Sequence, residues 1–120
     1  MKTQIGDYIH IIHMSGEPKY DDKIGRVQSI DHANQIHGTW GGCALTEEDD
    51  EFEIISEDRF ELYKACEKYN TKKKAMAFLV EYYMKSLKWS EKQSCEYAIE
   101  LFKNGTITSI KLLNSEDDEI

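Results

Sequence analysis

Hydrophobic and polar residues in the first half of the chain alternate with the period of β-strands. Residues 7–14 read DYIHIIHM, which places Tyr8, His10 and Ile12 on one face of a strand. Turn residues separate this run from further predicted strands, at Ile24–Ile30, Gln35–Trp40, Cys43–Leu45 and Phe52–Ile55. Because closure protects the edges of short strands, this half predicts a small antiparallel barrel with Trp40 as its plug.

The second half changes to the period of amphipathic helices. One helix is predicted to start from a cap at Asn70 or Thr71. Its buried stripe is predicted to consist of Ala75, Phe78, Leu79, Tyr82 and Tyr83. Because Tyr82 and Tyr83 are adjacent, we expect one of them to lie at the surface. Trp89 is expected where this helix turns into the next.

The next helix has clear start and stop signals. Residues 90–93 (SEKQ) form a capping box, and Asn104-Gly105 is a typical C-terminal stop. Its predicted apolar stripe is Cys95, Ala98, Ile99 and Phe102. A shorter helix is expected around Arg59–Tyr69, with Phe60, Tyr63 and Cys66 inward, and a last one from Thr106.

These elements predict an α+β fold, in which a small N-terminal barrel packs against two or three C-terminal helices. We expect a barrel module at residues 1–57, a helical module at 58–114 and an acidic tail at 115–120.

The N-terminal half resembles a small domain family of bacterial and phage genomes. The residues that carry the resemblance are GRVQSIDHANQIHGTWGG, preceded by IGDYIHIIHM and followed by DEFEII, so that it covers roughly Ile5–Ile55. Gly38 stands where members commonly have valine. The resemblance implies an SH3-like barrel and a phage or mobile-element origin. It implies no activity.

Composition narrows the class of protein. The chain has 120 residues, of which 40% are hydrophobic and 32% charged, as in globular domains. It contains no run of about 18 apolar residues and no apolar segment near its start, so neither a membrane span nor a secretory signal is expected. The three cysteines, Cys43, Cys66 and Cys95, form no CxxC unit, which favours buried thiols and a cytoplasmic location.

Charge is sorted along the chain. Residues 1–62 carry 14 Asp and Glu against 5 Lys and Arg, whereas residues 63–114 carry 10 Lys against 5 Glu. With the acidic tail, the net charge is −8. This separation indicates an electrostatic partner, and it is also compatible with two modules that face each other.

Six carboxylates occupy seven positions in residues 47–53 (EEDDEFE). One interpretation is a solvated loop between strands. The other is a phosphate-like surface that fits a basic groove of a partner protein. The residues predicted to contact that partner are Glu47, Glu48, Asp49, Asp50 and Glu51. A calcium site is disfavoured because the run lacks the glycine and the DxDxDG spacing of a calcium loop.

Lys72, Lys73 and Lys74 fall in the first turn of a predicted helix, where the helix dipole disfavours cations by about 0.3–1 kcal/mol each. Either the acidic surface of the barrel packs nearby and compensates them, or an external anion does. Internal compensation is the preferred interpretation. Anion binding by these lysines is the alternative.

His10, His13, His32, His37 and Cys43 include potential metal ligands. On a regular strand His10 and His13 would point to opposite faces, so a shared zinc ion would need a bulge or ligands from several strands. We therefore predict surface or core imidazoles, with no metal and no cofactor.

The sequence lacks a GxSxG elbow and a phosphate-binding loop, so no enzymatic activity is predicted. The favoured hypothesis is an acidic protein-binding module of phage or mobile-element origin. Its concrete form would be an anti-CRISPR-type inhibitor that blocks a nucleic-acid-binding surface of its target. The alternative is a nucleic-acid-binding accessory protein that uses the lysine-bearing helices. The sequence indicates no oligomeric state.

Overall fold

The structure, a computed structural model, describes residues 2–105 and shows an α+β fold. Within that range the strands are β1 (Tyr8–His13), β2 (Ile24–Ile30), β3 (Ile36–Gly38), β4 (Gly41–Leu45) and β5 (Glu51–Ile55). The helices are α1 (Glu57–Lys68), α2 (Lys73–Ser86) and α3 (Glu91–Lys103), and a 3-10 turn covers Pro18–Tyr20. The predicted helix from Thr106 and the acidic tail lie outside the described residues.

All strand pairs in the sheet are antiparallel, and the strand order is β4-β3-β2-β1-β5. Because β4 and β5 stand at opposite ends and no ladder joins them within residues 2–105, the sheet is not closed. The predicted barrel is therefore not confirmed. The prediction assumed that closure protects the edges, but here β5 carries Glu51 and Glu53, and charged side chains are another way to protect an edge.

Trp40 lies over two glycines at the centre of the sheet. Its ring is 6% exposed, and its Nε1 donates to the Cys43 carbonyl at 2.8 Å. A Cβ on Gly38 would lie 2.2 Å from Trp40 Cζ3, and one on Gly25 would lie 2.8 Å from Trp40 Cε3. The indole thus occupies the space of the missing side chains at both glycines. The surrounding core consists of Ile9, Ile11, Met14, Val27, Ile36 and Leu45.

Helix α2 buries a different face from the one predicted. The buried residues of α2 are Lys73, Ala75, Met76 and Val80. Phe78 is 54% exposed and Tyr82 is 51% exposed. The predicted stripe was therefore wrong for Phe78, because Met76 and Val80 fill the interior instead. The exposure of Tyr82 agrees with the expectation that one of Tyr82 and Tyr83 lies at the surface. The predicted cap was also wrong, since α2 starts from Lys72 without a side-chain cap.

Helix α3 follows its sequence signals. The Ser90 hydroxyl accepts a hydrogen bond from Gln93 N at 3.0 Å, and the helix ends at Lys103 before Asn104 and a left-handed Gly105. Its predicted inward residues are confirmed by burial of Cys95, Ala98 and Phe102 and partial burial of Ile99. Local capping chemistry was sufficient to place this helix.

Two compact units divide the chain, a sheet unit (Met1–Phe60) and a helical unit (Glu61–Ile120). The described residues of the sheet unit carry 13 Asp and Glu against 5 Lys and Arg. Those of the helical unit carry 9 Lys against 6 Glu. The charge separation seen in the sequence therefore follows the division into units.

Candidate functional site: the acidic face of the sheet unit

The acidic run of residues 47–53 is divided between a turn and a strand. Residues 47–49 lie in the turn after β4, whereas Glu51, Phe52 and Glu53 belong to β5. In β5 successive side chains point to opposite faces, so Glu51 and Glu53 share one face. The run is thus part turn and part strand rather than a continuous loop.

Two of the five predicted contact residues hold the structure together. Glu47 Oε2 accepts hydrogen bonds from Thr3 Oγ1 at 2.7 Å and from Thr3 N at 3.1 Å. These bonds favour the charged carboxylate and lower the pKa of Glu47. Asp50 accepts from Ser15 N and from Thr46 N, both at 2.8 Å. Glu47 and Asp50 therefore position the turn.

The other three predicted contact residues, Glu48, Asp49 and Glu51, are exposed. The Asp49 carboxylate accepts a long hydrogen bond from Thr46 Oγ1, at 3.4 Å, and Asp49 N donates to the same oxygen at 3.2 Å. The hydrogen bonds of Glu47 and Asp50 hold the turn that carries Glu48 and Asp49, and Glu51 is the first residue of β5. These carboxylates are therefore presented from a defined scaffold. These three carboxylates are thus exposed to solvent, where a partner can reach them.

His10 of β1 lies between the carboxylates of Asp22 and Glu53. Its Nε2 is 2.7 Å from Asp22 Oδ1 and its Nδ1 is 2.9 Å from Glu53 Oε2, with the imidazole 13% exposed. Through these two contacts, the His10 ring joins Asp22 to Glu53 of β5.

A β-bulge between Ile11 and His13 places His13 opposite Glu51, while His10 stands opposite Glu53. The extra residue turns His13 to the face that carries His10, which a regular strand would not do. His13 Nδ1 lies 2.9 Å from Asp21 Oδ2. The bulge that a zinc ion shared by His10 and His13 would need is therefore present. Each histidine, however, contacts carboxylates of its own.

The His13–Asp21 pair predicts a pH dependence. The hydrogen bond and charge of Asp21 raise the pKa of His13 above its ordinary 6.5, and the bond to His13 lowers the pKa of Asp21 below 3.8. The pair is therefore strongest between about pH 4 and 6.5. Its contribution is lost as pH rises through the raised pKa of His13 and as pH falls through the lowered pKa of Asp21.

NMR titration of the His13 ring tests this assignment. Asp21→Asn is expected to move the pKa of His13 back towards 6.5. Glu51→Gln should lower it less, because Glu51 acts only through its charge. An unchanged His13 titration in Asp21→Asn would contradict the contact.

The remaining potential metal ligands lie elsewhere in the sheet unit. His37 Nε2 contacts Asp31 Oδ2 at 3.1 Å, and this contact, with turn amides, lowers the pKa of Asp31. His32 is exposed in the turn, and Cys43 is half-buried in β4. Among residues 2–105, no group of three or more His, Cys, Asp or Glu side chains is arranged to hold a metal ion.

A groove runs along β5. It is lined by Lys2, Thr3, Glu47, Asp50 and the β5 residues Glu51–Ile54, with a volume of about 570 Å³. We refer to it as the β5 groove. Sequence reasoning missed it because the Thr3–Glu47 hydrogen bonds, which join residues 44 positions apart, form one wall. The only sequence signal for the groove was the alternation of charged and apolar residues in Glu51–Ile54.

The lysines at the start of α2 have different environments. Lys73 is buried, and its Nζ lies 3.0 Å from Glu67 Oε2 at the end of α1. Lys72 and Lys74 are exposed. For Lys73, a compensating carboxylate thus comes from the helical unit.

Aromatic rings gather where α2 turns into α3. Tyr83 lies 5.1 Å from Trp89 and 5.5 Å from Tyr97, measured between ring centroids. Burial and the neighbouring tyrosines raise the pKa of Tyr83. The predicted location of Trp89 between the helices is confirmed, as is the exposure of one residue of the Tyr82–Tyr83 pair.

No family model, curated protein or solved structure matches the chain. The resemblance of Ile5–Ile55 to an SH3-like family therefore stays a prediction. In the part of the chain that the structure describes, no helix has the length and apolar character needed to cross a membrane.

Proposed function

We propose that the sheet unit is a non-enzymatic protein-binding module whose acidic surface occupies a basic surface of a partner. The observation that carries this proposal is the exposure of Glu48, Asp49 and Glu51 on a turn and strand that internal hydrogen bonds hold in place. A fixed array of like charges loses little conformational freedom on binding. It also attracts a partner of opposite charge over a distance.

The partner surface that fits such an array is one built for nucleic acid. Such surfaces carry clustered Lys and Arg side chains that neutralise phosphates. An inhibitor of phage or mobile-element origin, of the anti-CRISPR type, is the form of this function that we propose. The small size of the chain, its net charge of −8 and the resemblance of Ile5–Ile55 support that form.

Charge reversal tests the proposal. The triple variant Glu48→Lys, Asp49→Lys, Glu51→Lys is expected to lose at least tenfold in affinity for a basic nucleic-acid-binding effector, because attraction becomes repulsion. The measurement is displacement of a fluorescent oligonucleotide from purified bacterial effectors by increasing amounts of the protein.

A matched control reverses three exposed glutamates of the helical unit, Glu61, Glu96 and Glu100, and so changes the net charge equally. This control should retain its ability to displace the oligonucleotide. If both triple variants lose the same affinity for the effector, net charge alone determines binding. Absence of displacement by the unaltered protein, even at low salt, would contradict the proposed function.

One observation favours nucleic-acid binding as a second candidate function. One face of α2 carries four exposed residues at spacings of four, four and three: Lys74, Phe78, Tyr82 and Lys85. Rings between cations are typical of surfaces on which bases of a single strand stack. Fluorescence anisotropy with a single-stranded oligonucleotide separates the candidates. Binding that weakens with salt and is lost in Phe78→Ala, Tyr82→Ala would favour this one.

A further inference from the structure

The outer edge of β5 is open to pairing. The strand stands at the end of the sheet order, and its inner edge pairs with β1. Among residues 2–105, no other strand pairs with it, and the turn and loop hydrogen bonds between backbone groups do not involve Glu51–Ile55. An edge of this kind offers a row of N–H and C=O groups to an added strand.

The β5 groove lies along this strand. Its walls come from the N-terminal residues Lys2 and Thr3 and from the turn residues Glu47 and Asp50, and its length follows Glu51–Ile54. The Thr3–Glu47 hydrogen bonds hold the N-terminal wall in place. An added strand would lie about 4.8 Å from β5, beside these residues.

The side chains of β5 define what an added strand must carry. Glu51 and Glu53 lie on one face and are exposed, while Phe52 and Ile54 lie on the other. Phe52 packs against the core, and Ile54 is 42% exposed at the edge. Because directly opposed side chains on one face interact, a complementary strand is basic on the first face and apolar on the second.

We propose that β5 binds an extended segment of a partner protein by strand addition, and that this segment alternates Lys or Arg with apolar residues. This inference rests on the proposed protein-binding function and gives it a binding mode and a partner chemistry. Backbone hydrogen bonds along the edge supply affinity, and the alternation of charge and apolar surface supplies register.

A second copy of β5 is a poorer occupant of the same edge. Pairing two such strands would bring Glu51 and Glu53 close to like charges, which destabilises cross-strand pairs. The acidic side chains therefore act against self-association and in favour of a basic strand.

The test uses three peptides with equal charge and equal numbers of Lys and Val residues. The first is a nonapeptide of alternating Lys and Val. The second has the lysines and valines in two separate blocks. The third is the alternating peptide with N-methyl groups on the amides of both edges, which prevents strand pairing. Affinity is measured by calorimetry, and the site of binding from the amide chemical shifts of Glu51–Ile54.

The alternating peptide is expected to bind at least tenfold more tightly than the other two and to shift the β5 amides. Glu51→Lys should weaken binding of the alternating peptide at least tenfold. Glu17→Lys makes the same charge change outside the β5 groove and should leave this affinity unchanged.

Each other outcome overturns strand addition. If all three peptides bind equally, the surface recognises charge alone, and the proposed acidic module stands without this binding mode. If the protein instead forms a dimer through β5, the occupant is a second copy. If no peptide binds at low salt, strand addition fails, while the displacement assay with folded effectors tests the proposed function separately.

Discussion

Gly38→Ala is expected to lower the free energy of unfolding of the sheet unit by about 3 kcal/mol, at the upper end of the usual cost of overpacking. The new methyl group would lie 2.2 Å from Trp40 Cζ3 and 2.6 Å from the Arg26 carbonyl oxygen. Neither the buried indole nor the backbone of β2 can move away without disturbing the core. Urea unfolding followed by Trp40 fluorescence in a Trp89→Phe background measures the change.

Gly42→Ala provides the matched control. A Cβ at Gly42 meets no atom within 4 Å. The substitution restricts the unfolded chain, so stability should stay the same or increase by a few tenths of a kcal/mol. Equal stability of the two variants would contradict the placement of Trp40 against Gly38.

Met76→Ala is expected to destabilise the helical unit by about 2–4 kcal/mol, because it leaves a cavity at a side chain that is fully buried. Phe78→Ala, two residues along α2, should change stability by no more than about 0.5 kcal/mol, since its ring is more than half exposed. The two variants together determine which face of α2 is inside. Chemical denaturation followed by circular dichroism measures both.

The sequence pattern alone would predict the reverse order, with Phe78 in the core. A larger loss in Phe78→Ala than in Met76→Ala would restore that earlier interpretation of the helix face. Val80 lies on the same buried face of α2 as Met76. Val80→Ala should therefore lower the free energy of unfolding more than Phe78→Ala does.

The acidic run shows how tertiary contacts change the meaning of a sequence cluster. Five carboxylates appeared equivalent as partner contacts, yet Glu47 and Asp50 accept hydrogen bonds from Thr3 and Ser15. Their partners are 44 and 35 residues away in the chain, so no local pattern could have identified them. Charge-reversal experiments should therefore leave Glu47 and Asp50 unchanged.

Elements with local signals were predictable. The bounds of β2 and the caps of α3 followed from alternation, from the Ser90 capping box and from Asn104-Gly105, because the groups that form these signals are neighbours in the chain. The inward face of α2 was not predictable in the same way. Aromatic and aliphatic residues both follow its helical spacing, and only packing decides which are buried.

The sequence by itself determined the α+β character, the order of the strands and helices along the chain and the separation of acidic from lysine-rich segments, since these depend on local periodicity and composition. The tertiary structure decided that the sheet stays open, that Trp40 lies over Gly25 and Gly38, and that the β5 groove lies along an acidic edge. These features depend on which distant residues meet. Spacing along the chain does not contain that information.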